Sequence, residues 1–198
     1  YCMVQDHDGF IWFGTETGLS RFDGKRFVNF TTLDGLPDNE IIRLFVDSKN
    51  RVWIMPFQNK VCYYYQGKLH TDQNDSLLKQ LTYMGGVVSV VENIRQEIAI
   101  VQADGIHVIG ADSTVSTVQT PQQRFKIHMA GLGFDGSFAV NALVYEAKVV
   151  QLHQIKNNKL VPFLNFREFP VISSNGLHLW KDIRIMYKHP DSLVFFTP

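Results

Sequence analysis

Apolar residues in this chain come in short runs, and turn-forming pairs cut each run off from the next. Phe10-Ile11-Trp12-Phe13 is a continuous apolar run of residues that suit a pleated surface. Leu19-Ser20-Arg21-Phe22 alternates apolar and polar, the period of a strand. Further strand-like runs are Tyr1 to Gln5, Val87 to Val91, Glu97 to Ile100, Ile106 to Val108, Phe138 to Val140, Gln151 to Ile155, Ile183 to Tyr187 and Leu193 to Phe196. Five Asp-Gly pairs, at Asp8, Asp23, Asp34, Asp104 and Asp135, punctuate them. Gly supplies the positive φ that tight hairpin turns require, so the pairs mark strand reversals. Helical periodicity is scarce, and only Asp75 to Tyr83 fits a turn or two of helix.

The runs repeat. Asp6 to Trp12 returns as Asp47 to Trp53, a step of 41 residues, in the register Asp-x-x-(Gly/Asn)-x-(Ile/Val)-Trp. Asn50 stands where Gly9 stood, and Asn is the next best residue at a positive-φ position. Leu19 to Phe22 corresponds to Val61 to Tyr64, and Gly24-Lys25 to Gly67-Lys68. In a fainter third copy Ala99 holds the tryptophan position and Gly105-Ile106 falls on Gly18-Leu19. In a fourth, Ala139 holds it, and Asn157-Asn158 is the later turn. A repeat of roughly 40–45 residues built from short strands is the signature of a β-propeller blade. The expected fold is therefore all-β: a β-propeller of four-stranded antiparallel blades, one domain over residues 1–198. The expected blades are 1–40, 41–83, 84–124, 125–168 and a partial one at 169–198.

Composition adds limits. Nineteen basic and 19 acidic residues balance to a net charge of +0, which gives no argument for nucleic acid. The 15 Phe and an aromatic share of 13% fit a β-rich core. Charged residues, at 19%, fall below the usual quarter, as expected where neighbouring structure covers part of the surface. Cys2 and Cys62 read as two buried free thiols, too few for a disulfide framework. No apolar run is long enough to span a membrane. The chain opens at Tyr1 inside a strand-like run, so the expectation is a processed or excised piece of something longer.

Several motifs carry chemistry elsewhere and not here. Asp6-His7-Asp8-Gly9 starts like a calcium loop but lacks the further acidic ligands and the closing Glu. Gly131-Leu132-Gly133-Phe134-Asp135-Gly136 spells G-x-G-x-x-G, yet a strand pattern follows it and position 156 is Lys. The seven His have no zinc spacing, and no Ser or Cys sits in a nucleophile-elbow context. No metal, cofactor or catalytic residue is expected. Trp12 and Trp53 read as packing residues because they recur with the turn, and Asp6 and Asp47 as acceptors for the N–H groups of that turn. The repeat motif thus comprises Asp6, Gly9, Trp12, Gly14, Gly18, Leu19, Asp47 and Trp53.

Residues 5–55 carry a sharper signal. Asp6-x-x-Gly9-x-Ile11-Trp12-Phe13-Gly14-Thr15-x-x-Gly18-Leu19-Ser20-Arg21-Phe22, followed by Asp34-Gly35-Leu36-Pro37-x-Asn39, resembles the two-component regulator propeller repeat. From about residue 85 the likeness rests on spacing and turns. The resemblance implies the periplasmic sensor of a Bacteroidetes hybrid histidine kinase or related regulator. Such a sensor holds multi-bladed propellers, a small β-sandwich, a membrane helix and a cytoplasmic kinase. At about 42 residues per blade, 198 residues hold four to five blades, part of a larger propeller. The expected function is non-enzymatic, extracytoplasmic sensing of an oligosaccharide, with the remaining blades and sandwich of the full-length chain as partners and a homodimer as the assembly. Contact with a membrane comes only through that full-length protein. The alternatives are a propeller lyase or glycosidase and a protein-docking scaffold. Ligand candidates are residues at non-repeating positions: Arg43 after the Asp-Gly-Leu-Pro loop, and His178 and Trp180 in the stretched connection before the last strands.

Overall fold

The structure is a computed structural model that describes residues 2–58, 60–82, 86–103, 105–120, 125–133, 135–144, 149–165, 184–189 and 192–196. Strands β1 (Cys2–Gln5), β2 (Ile11–Gly14), β3 (Leu19–Phe22) and β4 (Phe27–Phe30) form the first sheet. The second holds β5 (Ile41–Val46), β6 (Val52–Pro56), β7 (Cys62–Tyr65) and β8 (Lys68–His70). The third holds β9 (Val87–Glu92), β10 (Ile98–Gln102), β11 (Ile106–Ile109) and β12 (Val115–Thr117). The fourth holds β13 (Phe125–Leu132), β14 (Phe138–Val144), β15 (Val149–Lys156) and β16 (Lys159–Asn165). A hairpin of β17 (Arg184–His189) and β18 (Ser192–Phe196) follows. Each of the four larger sheets is an antiparallel meander in chain order. The helical content of the described residues is two short 3-10 turns, Thr32–Asp34 and Leu78–Gln80, the second inside the stretch expected to be helical.

The sheets share an axis. β1 touches β5, β5 touches β9, and β9 touches β13, so the first strand of each sheet lies inside and the fourth at the rim. This is the blade arrangement of a partial β-propeller. Three apolar cores lie between successive sheets. Trp12 and Leu19 meet Val52, Ile54 and Cys62 between the first two. Trp53, Met55 and Tyr63 meet Val90, Ile98 and Ile100 between the second and third, with Leu77, Leu78 and Leu81. Ala99, Val101 and Ile106 meet Phe138, Val140 and Ala142 between the third and fourth. Each sheet therefore gives its Trp12-type face to the next sheet and receives the previous sheet on its other face.

One turn recurs in all four sheets between the first and second strands. Gly9 N–H donates to Asp6 O, Asn50 to Asp47, Gln96 to Asn93 and Gly136 to Gly133, at 2.9–3.1 Å. The donors sit at φ +89, +62, +60 and +72 respectively. Glycine is strictly required elsewhere. At Gly18 (φ +141) a Cβ would lie 2.3 Å from Phe30 O, and at Gly14 it would meet Cys2 Sγ at 2.5 Å.

Candidate functional site

The loops divide between two faces. On one face lie the four recurring turns and the hairpins between third and fourth strands. Asp6 Oδ1 accepts the N–H groups of Asp8 (3.1 Å) and Phe10 (2.9 Å), and Oδ2 accepts Trp12 Nε1–H at 2.7 Å. Asp47 repeats this with Lys49, Arg51 and Trp53 Nε1, and adds Arg51 Nε at 2.6 Å. Asp47 and both indoles are 0% exposed. A carboxylate taken up by three or four donors inside the protein holds the turn and satisfies the indole N–H; it leaves little capacity for a ligand. The turns also tie sheet to sheet. Asn50 Oδ1 accepts His7 N–H at 2.8 Å, Asn50 Nδ2 donates to Asp8 Oδ2 at 2.9 Å, and Ser48 N–H donates to Glu92 Oε2 at 2.8 Å.

On the other face lie the connections between sheets and those between second and third strands. Here the side chains depart from the repeat, although some backbone features recur. The connection from β4 to β5 is fixed by a capping box, with Thr31 and Asp34 bonding reciprocally, and by Asn39 Oδ1 accepting Thr32 N–H at 2.8 Å. Gly35 takes φ +103 at the end of that turn. The Asp-Gly-Leu-Pro-x-Asn stretch is thus a folded connection whose Leu36 is buried in the first core. The next strand begins against it: Ile41 N–H donates to Thr15 O at 2.9 Å, as Ile127 N–H does to Ala103 O at 2.8 Å.

Arg43 lies on this irregular side of β5. Ile41 pairs with Pro56 and Arg43 with Met55, so Ile42 is an extra residue, a bulge of the kind that re-aims a side chain. Val88 in β9, His128 in β13 and Met186 in β17 are extra in the same way. Arg43 is exposed and, among the described residues, makes no hydrogen bond or ion pair. Phe57, 63% exposed, stands nearby at the end of β6. Burial pushes the Cys2 thiol up, and the Arg43 charge partly opposes this. Cys2 and Cys62 are free thiols, and burial raises Cys62 strongly. His178 and Trp180 lie outside the described residues.

Two polar clusters have no sequence signature, because it is the folded connection between β8 and β9 that brings their members together. Tyr63 O–H donates to Asp75 Oδ2, His70 Nδ1 is 3.1 Å from the same oxygen, and the Tyr63 and His70 rings stack at 4.6 Å. Asp75 Oδ1 accepts Leu77 N–H at 2.8 Å, so the carboxylate holds the turn that buries Leu77 and Leu78. Burial raises the Asp75 carboxyl, but the bonds from Tyr63, Leu77, Leu78 and His70 outweigh it and hold the group below the usual range. Burial and the Asp75 carboxylate push the Tyr63 phenol up. In the third sheet, buried His107 faces Thr82 O at 2.8 Å and Thr117 Oγ1 at 3.1 Å. Both clusters pin the connection between β8 and β9 to its sheets. No group of three or more metal-ligating side chains occurs among the described residues.

A small open cleft of about 190 Å³ lies between the first two sheets on the turn side, lined by Asp8, Phe10, Arg21, Asn50 and Tyr64. Arg21 stacks over Phe10 at 4.6 Å and donates to Tyr64 Oη at 3.0 Å, bridging the sheets.

This fold and its turn chemistry define a β-propeller segment of the D-x-x-G-x-x-W kind. Residues 1–17 match the model of the family described as two component regulator propeller. No curated protein matches the chain significantly. Among solved structures, it is similar to the extracellular domain of a hybrid two component system of B. thetaiotaomicron, with a TM-score of 0.64 at 18% identity over 98% of this chain and 27% of that one. It is also similar to a streptogramin B lyase, with a TM-score of 0.65 at 17% identity over 100% of this chain and 68% of that one. The virginiamycin B lyase of Staphylococcus aureus matches at 0.61 and 12% identity over 82% of this chain. The chain spans about a quarter of that extracellular domain and 54% of the Staphylococcus lyase. No helix of the described residues is long and apolar enough to cross a membrane.

Proposed function

We propose that this chain is part of the extracytoplasmic sensor propeller of a two-component regulator. In this reading it is not an enzyme; it takes an oligosaccharide on the irregular face and passes the signal to a cytoplasmic kinase. The observation that carries the reading is the family match at residues 1–17, in the sheet whose register the second sheet repeats. The division of the faces supports it. The motif residues are consumed in turn construction, while Arg43 stands exposed on the inner strand with its donors uncommitted among the described residues. Arg43, His178 and Trp180 are the proposed contacts. Signalling requires that the ligand bind one arrangement of the sensor more tightly than another. The test is calorimetric titration of the complete extracytoplasmic region against a panel of oligosaccharides. Binding that falls at least tenfold in Arg43→Ala, with unchanged melting temperature, supports the reading. No binding across the panel contradicts it.

The similarity to the lyases favours a second reading, a propeller lyase. It requires an acid–base pair in a cleft, and Tyr63, His70 and Asp75 are instead engaged with one another and with a turn. Loss of quinupristin, the compound named with the inactive Staphylococcus lyase, on incubation with the protein would establish the enzyme reading.

A further inference from the structure

The first two junctions between sheets treat one place on the turn side differently. Between the second and third sheets, Lys49 Nζ crosses to Ala111 O, in the hairpin from β11 to β12, at 3.0 Å. Arg51 lies over Trp53 at 5.0 Å and is held by Asp47 at 2.6 Å, so its charge is matched. Between the first and second sheets, Asp8 stands in the place of Lys49 and Phe10 in that of Arg51. The Asp8 carboxylate bonds to Asn50 at 2.9 Å and does not cross to the hairpin from β7 to β8. The 190 Å³ cleft is the space this leaves between the sheets.

Its rim is fixed and its lining is mixed. Gln66 (φ +47) and Gly67 (φ +82) set the far edge as a tight primed turn. Phe10, Tyr64 and Tyr65 supply an apolar wall. Arg21 makes the cation–π stack that Arg51 makes at the next junction, over Phe10 at 4.6 Å, but it has no ion pair among the described residues. The bond to Tyr64 uses one of its several N–H groups. Asp8 Oδ1 makes no hydrogen bond among the described residues. Asp6 adds charge but little accepting capacity, since its oxygens are taken by the turn and the indole.

This lining excludes three kinds of occupant. An anion faces Asp6 and Asp8, and a cation faces Arg21. A wholly apolar molecule covers Asp8 and Arg21 without offering them partners. A neutral ring with hydroxyls at its edge and C–H groups on its face meets every group, because hydroxyls both donate and accept. Drug-sized ligands occupy clefts of about 300–1,000 Å³, so this one holds a smaller molecule. We infer that the cleft binds one neutral sugar ring, its hydroxyls shared by Asp8 and Arg21 and its C–H face on the aromatic wall. The site lies on the opposite face from Arg43, and the inference stands without the sensor reading.

The experiment is saturation-transfer NMR on the full-length polypeptide. The probes are the methyl glycosides of glucose, galactose and mannose, with glucuronate and glucosamine as charged counterparts. At least one neutral glycoside binds saturably at about 1–10 mM, the affinity open to a ligand of so few atoms. Asp8→Lys copies Lys49, lets the side chain cross to the β7–β8 hairpin, and weakens binding about tenfold or more with no fall in melting temperature. Asp8→Asn keeps an oxygen for Asn50, removes only the charge, and weakens binding about fivefold; it decides the matter if the lysine variant misfolds. Arg43→Ala leaves the binding unchanged, which separates this site from the irregular face. No saturable binding of any neutral glycoside overturns the inference. So does binding that both Asp8 variants leave intact, binding lost in Arg43→Ala, or tighter binding of glucuronate or glucosamine than of every neutral glycoside.

Discussion

The first two sheets and the next two build the same turn with different chemistry. In the first pair, a buried Asp binds both the turn and a buried indole: Asp6 with Trp12, Asp47 with Trp53. In the second pair, both partners are gone together. Asn93 and Ala99 occupy the positions in the third sheet, Gly133 and Ala139 in the fourth. Asn93 Oδ1 still accepts Arg95 N–H at 2.9 Å and Glu97 N–H at 3.0 Å, so half of the Asp function survives. Its amide turns to Glu97 Oε2 at 2.6 Å instead of to an indole. In the fourth sheet Asp135 takes over, accepting the Ser137 hydroxyl at 2.6 Å and the Ser137 N–H at 3.0 Å, and these bonds lower its carboxyl. The joint loss has a physical reason. A buried indole N–H without an acceptor and a buried carboxylate oxygen without a donor each carry a desolvation penalty, so neither partner persists alone.

The largest expected difference is in the ring itself. Trp53→Ala should lower stability by about 3–5 kcal/mol, since it leaves a cavity between two sheets. Guanidinium denaturation measures this, and a loss below about 1 kcal/mol would mean that the second and third sheets repack freely. Asp47→Ala comes next, at about 3 kcal/mol or more, because it strands a buried Arg51 and an indole N–H. Asn93→Ala should cost only about 1 kcal/mol, the worth of an Asn cap with no indole behind it. Equal losses at the two positions would erase the contrast.

The junctions differ in pH response as well. Asp75, between the second and third sheets, has its pKa lowered from 3.8, so its contribution is fully present above that value. It is lost as pH falls through the lowered folded value. Asp75→Asn should therefore flatten the acid limb of the stability–pH curve below about pH 4. An unchanged acid limb would show that the Tyr63–Asp75–His70 cluster does not stabilise the fold. The smallest effect is at the turns. Gln96 adopts φ +60 where the first sheet has Gly9, and Gln96→Gly should raise stability by up to about 1 kcal/mol.

Much of this was legible in the sequence, and for identifiable reasons. Trp12, Trp53, Gly9 and Asn50 announce themselves by rarity and by a step of 41 residues; Ala99 is placed at the tryptophan position by the step of 87 from Gly18-Leu19 to Gly105-Ile106, and Ala139 by lying 127 residues after Trp12, close to three periods. Asn93, Gln96 and Gly133 did not stand out, because the backbone bonds of the turn tolerate many side chains once the indole is gone. G-x-G-x-x-G at residues 131–136 resolves as the end of β13 and the turn into β14, with Gly136 N–H on Gly133 O at 3.0 Å. The bulges at Ile42 and Val88 left no trace, since an extra residue in an apolar strand changes no pattern that composition or period can register. The Tyr63–Asp75–His70 cluster was invisible because only the folded connection brings Asp75 back to β7 and β8.

The central claim is that aspartate and tryptophan form one structural unit, so that the motif builds blades and the irregular face is left for ligand. A double-mutant cycle between Asp47→Ala and Trp53→Phe, read by chemical denaturation, tests it most directly, because Trp53→Phe keeps an aromatic ring while removing the N–H, and the cycle cancels the accompanying loss of ring volume. The account predicts a coupling of about 1–3 kcal/mol, as for two groups sharing a buried hydrogen bond. Additive losses would contradict it.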